Sequence, residues 1–220
     1  MIELKNTSRR YEVGGDPINA LFHVDLKIQD GEFVAIMGPS GSGKTTFLNL
    51  IGGLDSPDSG TVLIDNEDLG RLKDKVLSKY RNQKIGFVFQ SFNLQPFYTA
   101  VENVMLPLYF AGVGDKEKKK RAAEALKVVG LGNRLKHRPN QLSAGQRQRV
   151  SIARALINNP KIILADEPTG NLDTKTGKEI MALLQDLNKK QKVTIVMVTH
   201  DPEMAKYAER IIKMHDGRIR

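Results

Sequence analysis

Gly38-Pro39-Ser40-Gly41-Ser42-Gly43-Lys44-Thr45 fits the spacing G-x-x-x-x-G-K-S/T, and its neighbours give that spacing its meaning. Phe33-Val34-Ala35-Ile36-Met37 before it is a short, apolar, strand-like run, and Thr46 to Leu54 after it reads as the start of a helix. A strand, a glycine-rich turn and a helix N-terminus together offer a stack of unpaired N–H groups, where the helix dipole also favours an anion. Gly38, Gly41 and Gly43 let the backbone wrap a phosphate chain without Cβ clashes. Lys44 is expected to reach the β and γ phosphates and the Thr45 hydroxyl to ligate Mg²⁺, with Ser40, Ser42 and Thr46 completing the cradle. The expected ligand is a nucleoside triphosphate.

Bulk composition sets limits. A chain of 220 residues can bury one sizeable core. It has no cysteine, which excludes disulfides and thiolate metal sites and fits a reducing compartment. Met1-Ile2-Glu3-Leu4-Lys5 shows no basic region followed by a long apolar run, so no signal peptide is expected. The longest apolar candidate, Val104 to Val113, contains Pro107 and Gly112 and falls short of the ~20 residues that span a bilayer. The net charge of +9 suits nucleic acid, an anionic membrane surface or phosphate ligands. Its densest part, Lys116-Glu117-Lys118-Lys119-Lys120-Arg121, opens a helical stretch and is expected to be a solvated helix face. No aromatic residues interleave with it, and no nucleic acid is expected as a partner.

The pattern changes along the chain. Over residues 1–30, Phe22, Val24, Leu26 and Ile28 alternate with His23, Asp25 and Lys27, the period-2 mark of a half-buried, antiparallel strand. Thr61 to Asp65 is another short strand. Ile85-Gly86-Phe87-Val88-Phe89, Ile162-Ile163-Leu164-Ala165 and Thr194-Ile195-Val196-Met197-Val198 are near-continuous apolar runs, which suit a parallel sheet covered on both faces. Ile211 to Ile219 reads as a hairpin around Asp216-Gly217. The expected fold class is α/β: a P-loop NTPase core with a mainly parallel sheet, an N-terminal antiparallel β subdomain and an inserted helical subdomain. The whole chain, 1–220, is then one ATPase domain, with 1–90 and 161–220 as the core and 91–160 as the helical insert.

Two further motifs carry chemistry. Ile162 to Ala165 ends in Asp166-Glu167, so a rigid strand holds two carboxylates at the edge of the sheet. Asp166 suits a Mg²⁺ role, and Glu167 is then placed to polarise an attacking water as general base. Leu142-Ser143-Ala144-Gly145-Gln146 opens another helical stretch. Ser143 and Gln146 form the S-x-x-Q pattern of a capping box, and an exposed helix start beside a hydroxyl is also an anion site. One phosphate loop already cradles the triphosphate, so a second anion site suggests a nucleotide shared between two chains.

The order of phosphate loop, Gln90, Leu142–Gln146, Asp166-Glu167, Asn171-Leu172-Asp173 and His200 resembles the ATP-binding subunit of an ABC transporter over essentially the whole chain. The resemblance implies ATP and Mg²⁺ as cofactors and two copies packed head to tail. Each ATP would lie between the phosphate loop of one copy and Ser143, Gly145 and Gln146 of the other. It also implies that Tyr11 stacks on adenine, that Gln90 senses Mg²⁺ and the water, that His200 contacts the γ-phosphate and that Asp173 lies at the dimer seam. Ala144 stands where the family usually has glycine, and at a first helical turn alanine is sterically acceptable.

Val88 to Leu94, Glu102-Asn103-Val104 and Leu164 to Asp173 resemble the branch serving lipoprotein release, macrolide and peptide export, and the related cell-division complex. That implies a separate membrane-spanning permease and a cytoplasmic place at the inner face of the cell membrane. Phe92, Leu94, Phe97, Met105 and Leu106 are the candidates for an apolar docking groove, with some of them expected in the core. The rival reading is a soluble ATPase of the same type acting on DNA or ribosomes. Relatives of that kind carry a long coiled coil or a second ATPase unit. Here only 51 residues separate Gln90 from Leu142, without sustained heptads.

Overall fold

Two sheets face each other across one helix. The computed structural model describes residues 1–220 apart from the Val13 side chain. Strands β1 (Ile2–Val13), β2 (Asp16–Ile28), β4 (Ser59–Ile64) and β5 (Glu67–Asp68) form an antiparallel sheet in the order β2-β1-β4-β5. The second sheet contains β3 (Phe33–Met37), β6 (Ile85–Phe89), β7 (Ile162–Asp166), β8 (Thr194–Thr199), β9 (Arg210–His215) and β10 (Arg218–Ile219) in the order β10-β9-β3-β8-β7-β6. It is parallel except for the β9–β10 hairpin. Helix α1 (Lys44–Ile51) packs between the sheets, burying Phe47, Leu48, Leu50 and Ile51.

The apolar runs of the parallel strands serve two cores because successive side chains point oppositely. Val34, Ile36, Leu164, Val196 and Val198 meet α1 and the antiparallel sheet. Phe33, Ala35, Ile163, Ala165, Ile195 and Met197 meet the helices on the other side. Phe47 is fully buried at the centre of the first core, where truncation to alanine would cost about 3–5 kcal/mol.

Those other helices are α3 (Ala100–Phe110), α4 (Asp115–Val128), α5 (Ala144–Leu156) and α6 (Thr174–Gln191), with α2 (Asp74–Lys84) before β6 and a short α7 (Pro202–Ala205). Along α6, Gly177, Ile180, Met181, Leu184 and Leu187 are buried at helical spacing, so one stripe faces the sheet. Thr99 and Glu102 cap α3 reciprocally. The buried amide of Asn103 bonds the backbone of Gln95, Tyr98 and Thr99, and so fixes the loop that leads from β6.

Two expectations change, and the docking candidates divide. His23 has φ 49° within β2, and this irregularity shifts the alternation: Leu21 is the buried residue while the Phe22 ring lies under the Arg218 guanidinium. Lys118 is not solvated with the rest of its basic run; it is 6% exposed, 3.6 Å from the Tyr109 ring centroid and paired with Asp115. Met105 belongs to the core, and Leu94 packs against it.

Candidate functional site

The turn from β3 into α1 is shaped by what its glycines exclude. Gly43 has φ 99°, and a Cβ there would lie 2.2 Å from the Ala20 carbonyl oxygen. On Gly38 a Cβ would lie 2.2 Å from the Met214 carbonyl oxygen. The loop is therefore clasped by β2 on one side and β9 on the other, and Gly217 in the last hairpin donates its N–H to the Ser42 carbonyl at 3.1 Å. Lys44 Nζ donates back to the carbonyls of Gly38 and Pro39 at 2.8 and 2.7 Å. Its ammonium is thereby held over the loop, where an incoming phosphate would compete for it.

A cleft of about 650 Å³ opens at the C-terminal ends of the parallel strands. Ser40, Gly41, Gly43, Lys44, Thr45 and Thr46 line one side; Gln90, Asp166, Glu167 and His200 line the other. The register explains the second set. Phe89, Asp166 and Val198 stand side by side at the ends of β6, β7 and β8, so the residues that follow reach the same edge. Gly38 is packed against Ser42, where a Cβ would lie 2.6 Å from the hydroxyl oxygen, and that hydroxyl is buried without a hydrogen-bond partner among the described residues.

Adjacent carboxylates on a strand should point to opposite faces. Glu167 escapes this by taking φ 45°, a left-handed conformation rare for a residue with a Cβ. Its N–H donates to the Val198 carbonyl at 3.0 Å, and its carboxylate meets His200 Nδ1 at 2.7 Å. Burial pushes the Asp166 carboxyl above the usual carboxylate range, the Glu167 charge pushes it further, and Lys44 acts in the opposite sense. Gln90 rests its side chain on Gly170, where a Cβ would lie 2.7 Å from Nε2, and its carbonyl accepts from Asn171 Nδ2 at 3.0 Å.

Tyr11 is set beside the cleft rather than in its lining. It pairs with Ile18 across the β1–β2 ladder, and Ile18 does line the cleft. The Tyr11 hydroxyl bonds Asp55, while the Arg9 guanidinium lies 4.9 Å from the ring centroid.

The remaining expected residues form a second group outside the cleft lining. Ser143 is exposed and caps α5: its Oγ accepts from the Gln146 N–H at 3.2 Å, and Gln146 Oε1 accepts from the Ser143 N–H at 3.0 Å. A Cβ on Gly145 would lie 2.4 Å from Thr176 Cγ2, so the start of α5 sits directly on the first turn of α6. That turn is capped by Asp173, which is exposed and accepts from the Thr176 N–H at 3.0 Å. Hydrogen bonding from Thr176, from its side chain first and then its N–H, holds the Asp173 carboxyl below the usual range. Sequence reading passed over Ile18 and Ala20, whose apolar side chains carry no chemical signal, and the buried Gln148 on α5.

The chain matches the ABC transporter family over residues 21–170. An uncharacterized ABC transporter ATP-binding protein of Methanocaldococcus jannaschii, MJ0796, is 56% identical, with 100% of this chain and 95% of that protein covered. The lipoprotein-releasing system ATP-binding protein LolD of Bacteroides thetaiotaomicron is 48% identical, covering 100% of this chain and 99% of LolD. The macrolide export ATP-binding/permease protein MacB of Syntrophobacter fumaroxidans is 50% identical over 100% of this chain, which spans 31% of MacB. A dimeric structure of a post-hydrolysis state of MJ0796 bound to ADP and Pi matches with a TM-score of 0.91 and 54% identity, covering 100% of this chain and 96% of the other.

Proposed function

We propose how this chain, which belongs to the ABC transporter family as an ATP-binding and ATP-hydrolysing subunit, is put to work: two copies close head to tail on ATP and drive a separate membrane permease. One observation carries the reading. The chain has two helix starts suited to anions, and only that of α1 opens on the cleft, while Ser143 at α5 is exposed outside it. A second chain's triphosphate is the ligand that would use both. The dimeric, ADP- and Pi-bound relative supports this arrangement.

In this reading Lys44 and the loop N–H groups hold the β and γ phosphates, Tyr11 stacks on the base, and Asp173 lies at the seam. Glu167 orients and partly deprotonates the attacking water, with no phosphoenzyme, and His200 bridges Glu167 and the γ-phosphate. Thr45, Gln90 and Asp166 supply the hard oxygen ligands that suit Mg²⁺. The fit rests on Asp166, a carboxyl raised by burial and held by no side-chain hydrogen bond, which a cation would satisfy. Among the described residues no cluster of three His, Cys, Asp or Glu could hold a metal alone, so phosphate oxygens would complete the shell. When bound, Mg²⁺ neutralises charge developing on the phosphoryl oxygens.

No helix is long and apolar enough to cross a membrane. We place the permease in a separate chain, with this subunit on its cytoplasmic side, a reading supported by the match over 99% of the ATP-binding protein LolD. The expected docking residues are revised by their burial: Met105 is core, and Phe92 is half-buried with the Arg147 guanidinium 5.1 Å from its ring centroid. A groove of about 760 Å³ beside β6 is the better seat. Phe87, Phe89, Pro107 and Phe110 give it an apolar lining, and Lys75, Lys79, Arg81 and Arg154 surround it with no carboxylate. An apolar permease segment carrying acidic residues suits that lining.

LolD and MacB are both close in sequence, and transport of the lipoprotein-release or macrolide and peptide-export type is the branch we assign. The test is reconstitution in lipid vesicles with a permease of each type. The matching permease should raise ATP hydrolysis in the presence of its own substrate, and stimulation by neither would overturn the branch.

A further inference from the structure

Gln148 lies on α5 just over one turn beyond the Ser143 cap and is fully buried. Its Nε2 donates to the Pro168 carbonyl at 2.7 Å and, more weakly, to the Phe89 carbonyl at 3.4 Å, while Oε1 has no partner. Pro168 immediately follows Glu167, and Phe89 immediately precedes Gln90. One side chain thus ties the helix that begins at Ser143 to the backbone beside two residues of the cleft.

The Pro168 contact bears on the conformation of Glu167. A non-glycine residue at φ 45° is disfavoured and persists only where its surroundings over-determine it. The main chain provides two restraints: the Glu167 N–H donates to Val198, and the Gly170 N–H donates to the Glu167 carbonyl, each at 3.0 Å. Gln148 adds a restraint from the neighbouring helix. An apolar residue of the same size would fill its space without the orphaned Oε1 but would leave the Pro168 carbonyl without its donor, so the amide is explained by that contact rather than by packing alone.

We propose that Gln148 is a positioning residue for ATP hydrolysis, holding the Glu167 turn and the end of β6 to α5 so that engagement of Ser143 by a second chain's nucleotide is felt at the carboxylate of its own. This rests on the shared-nucleotide reading above. Gly145 on the first turn of α6 gives the same helix start a second rigid support, so a displacement of α5 has to be accommodated at the Pro168 end as well.

The test compares the full chain with Gln148→Met, which keeps the volume and removes the donor, and Gln148→Glu, which donates only when protonated. Gln148→Met should lower kcat about tenfold while leaving the Kd for MgATP within about twofold, and it should reduce the cooperativity of hydrolysis in ATP. Its thermal midpoint should fall by only a few degrees, as the Pro168 carbonyl loses its donor while the orphaned Oε1 is also removed. A residue that merely fills the core would leave kcat unchanged in this variant of equal volume. In Gln148→Glu, burial raises the new carboxyl, so its kcat relative to wild type should recover as the pH falls from about 8 to about 6. An unchanged kcat in Gln148→Met overturns the proposal, as does a flat ratio for Gln148→Glu, which decides alone if the methionine variant does not fold. Retained cooperativity in Gln148→Met overturns the coupling to α5. Ser143→Arg is assayed beside them: if it still dimerises on ATP, the shared-nucleotide reading fails instead, and kcat in Gln148→Met remains the measure of positioning.

Discussion

Replacing Glu167 by glutamine should separate ATP binding from hydrolysis. Glutamine keeps the length of the side chain and an oxygen that can accept from His200, now 2.7 Å from the carboxylate. It removes the basic group, and loss of a general base lowers turnover by about 10²–10⁴-fold. Lys44, Thr45 and Asp166 remain. Asp166 benefits, because the Glu167 charge is the second cause of its raised pKa; without that charge it ionises more readily and holds a cation better. In the proposed site the charge removed also faces the γ-phosphate. For unit charges about 5 Å apart at an effective dielectric of about 20, that repulsion is about 3 kcal/mol, or about two hundredfold in favour of the closed state.

The protein without nucleotide should be a monomer, since two copies of charge +9 repel until ATP supplies counter-charge at the seam. Gel filtration of Glu167→Gln should therefore show a monomer alone and a dimer with MgATP. Adding Ser143→Arg puts bulk and charge at the exposed α5 cap and should abolish the shift while ATP still binds. A double variant that dimerises on ATP refutes the shared site, although the ATPase assignment survives it. A single variant that hydrolyses ATP at the wild-type rate refutes Glu167 as the base.

Tyr11→Ala should weaken ATP binding by about 1–3 kcal/mol, the range for base–aromatic stacking, and GTP should compete appreciably because stacking reads no base edge. Unchanged affinity in a fluorescent-nucleotide titration would remove the adenine role and leave Tyr11 as the partner of Arg9 and Asp55. Asp166→Asn should abolish hydrolysis yet stabilise the nucleotide-free protein at neutral pH. The raised carboxyl means that the native state holds its proton to higher pH than the unfolded chain, so stability falls as pH rises through the folded pKa. The gain in thermal midpoint should therefore shrink on acidification, and a lower midpoint at neutral pH would contradict the assignment of burial as its cause. Phe110 is 84% exposed in the basic groove, so Phe110→Ser should leave basal hydrolysis alone and remove stimulation by the permease. Collapse of basal hydrolysis would show that the groove is part of the catalytic fold instead.

The central strands were legible in the sequence because burial on both faces leaves continuous apolar runs such as Ile162 to Ala165 and Thr194 to Val198. Their order was not, since nothing local to β3 says that β8 and β9 flank it. Period-2 reading failed at His23, where an irregular backbone shifts the phase and exchanges Leu21 for Phe22 in the core. Around α3 the sequence left open which apolar residues are core. Composition shows that Phe97, Met105 and Leu106 are apolar, but only the tertiary packing says that Met105 on α3 is core while Phe97, in the turn before α3, is 83% exposed.

At the site, residues with distinctive chemistry were legible and the reasons they converge were not. Strand alternation by itself would send Asp166 and Glu167 to opposite faces, and a cleft containing both requires a break at that step. The break is the left-handed Glu167, which no propensity scale suggests for glutamate. Its restraints come from Val198 in the next strand, Gly170 in the following turn and Gln148 some twenty positions earlier on α5. The strand thus presents the acid pair in sequence, whereas the tertiary contacts determine that both carboxylates reach the same cleft. This dependence is why a change at Gln148, which lies outside the cleft lining, should appear in turnover before it appears in binding.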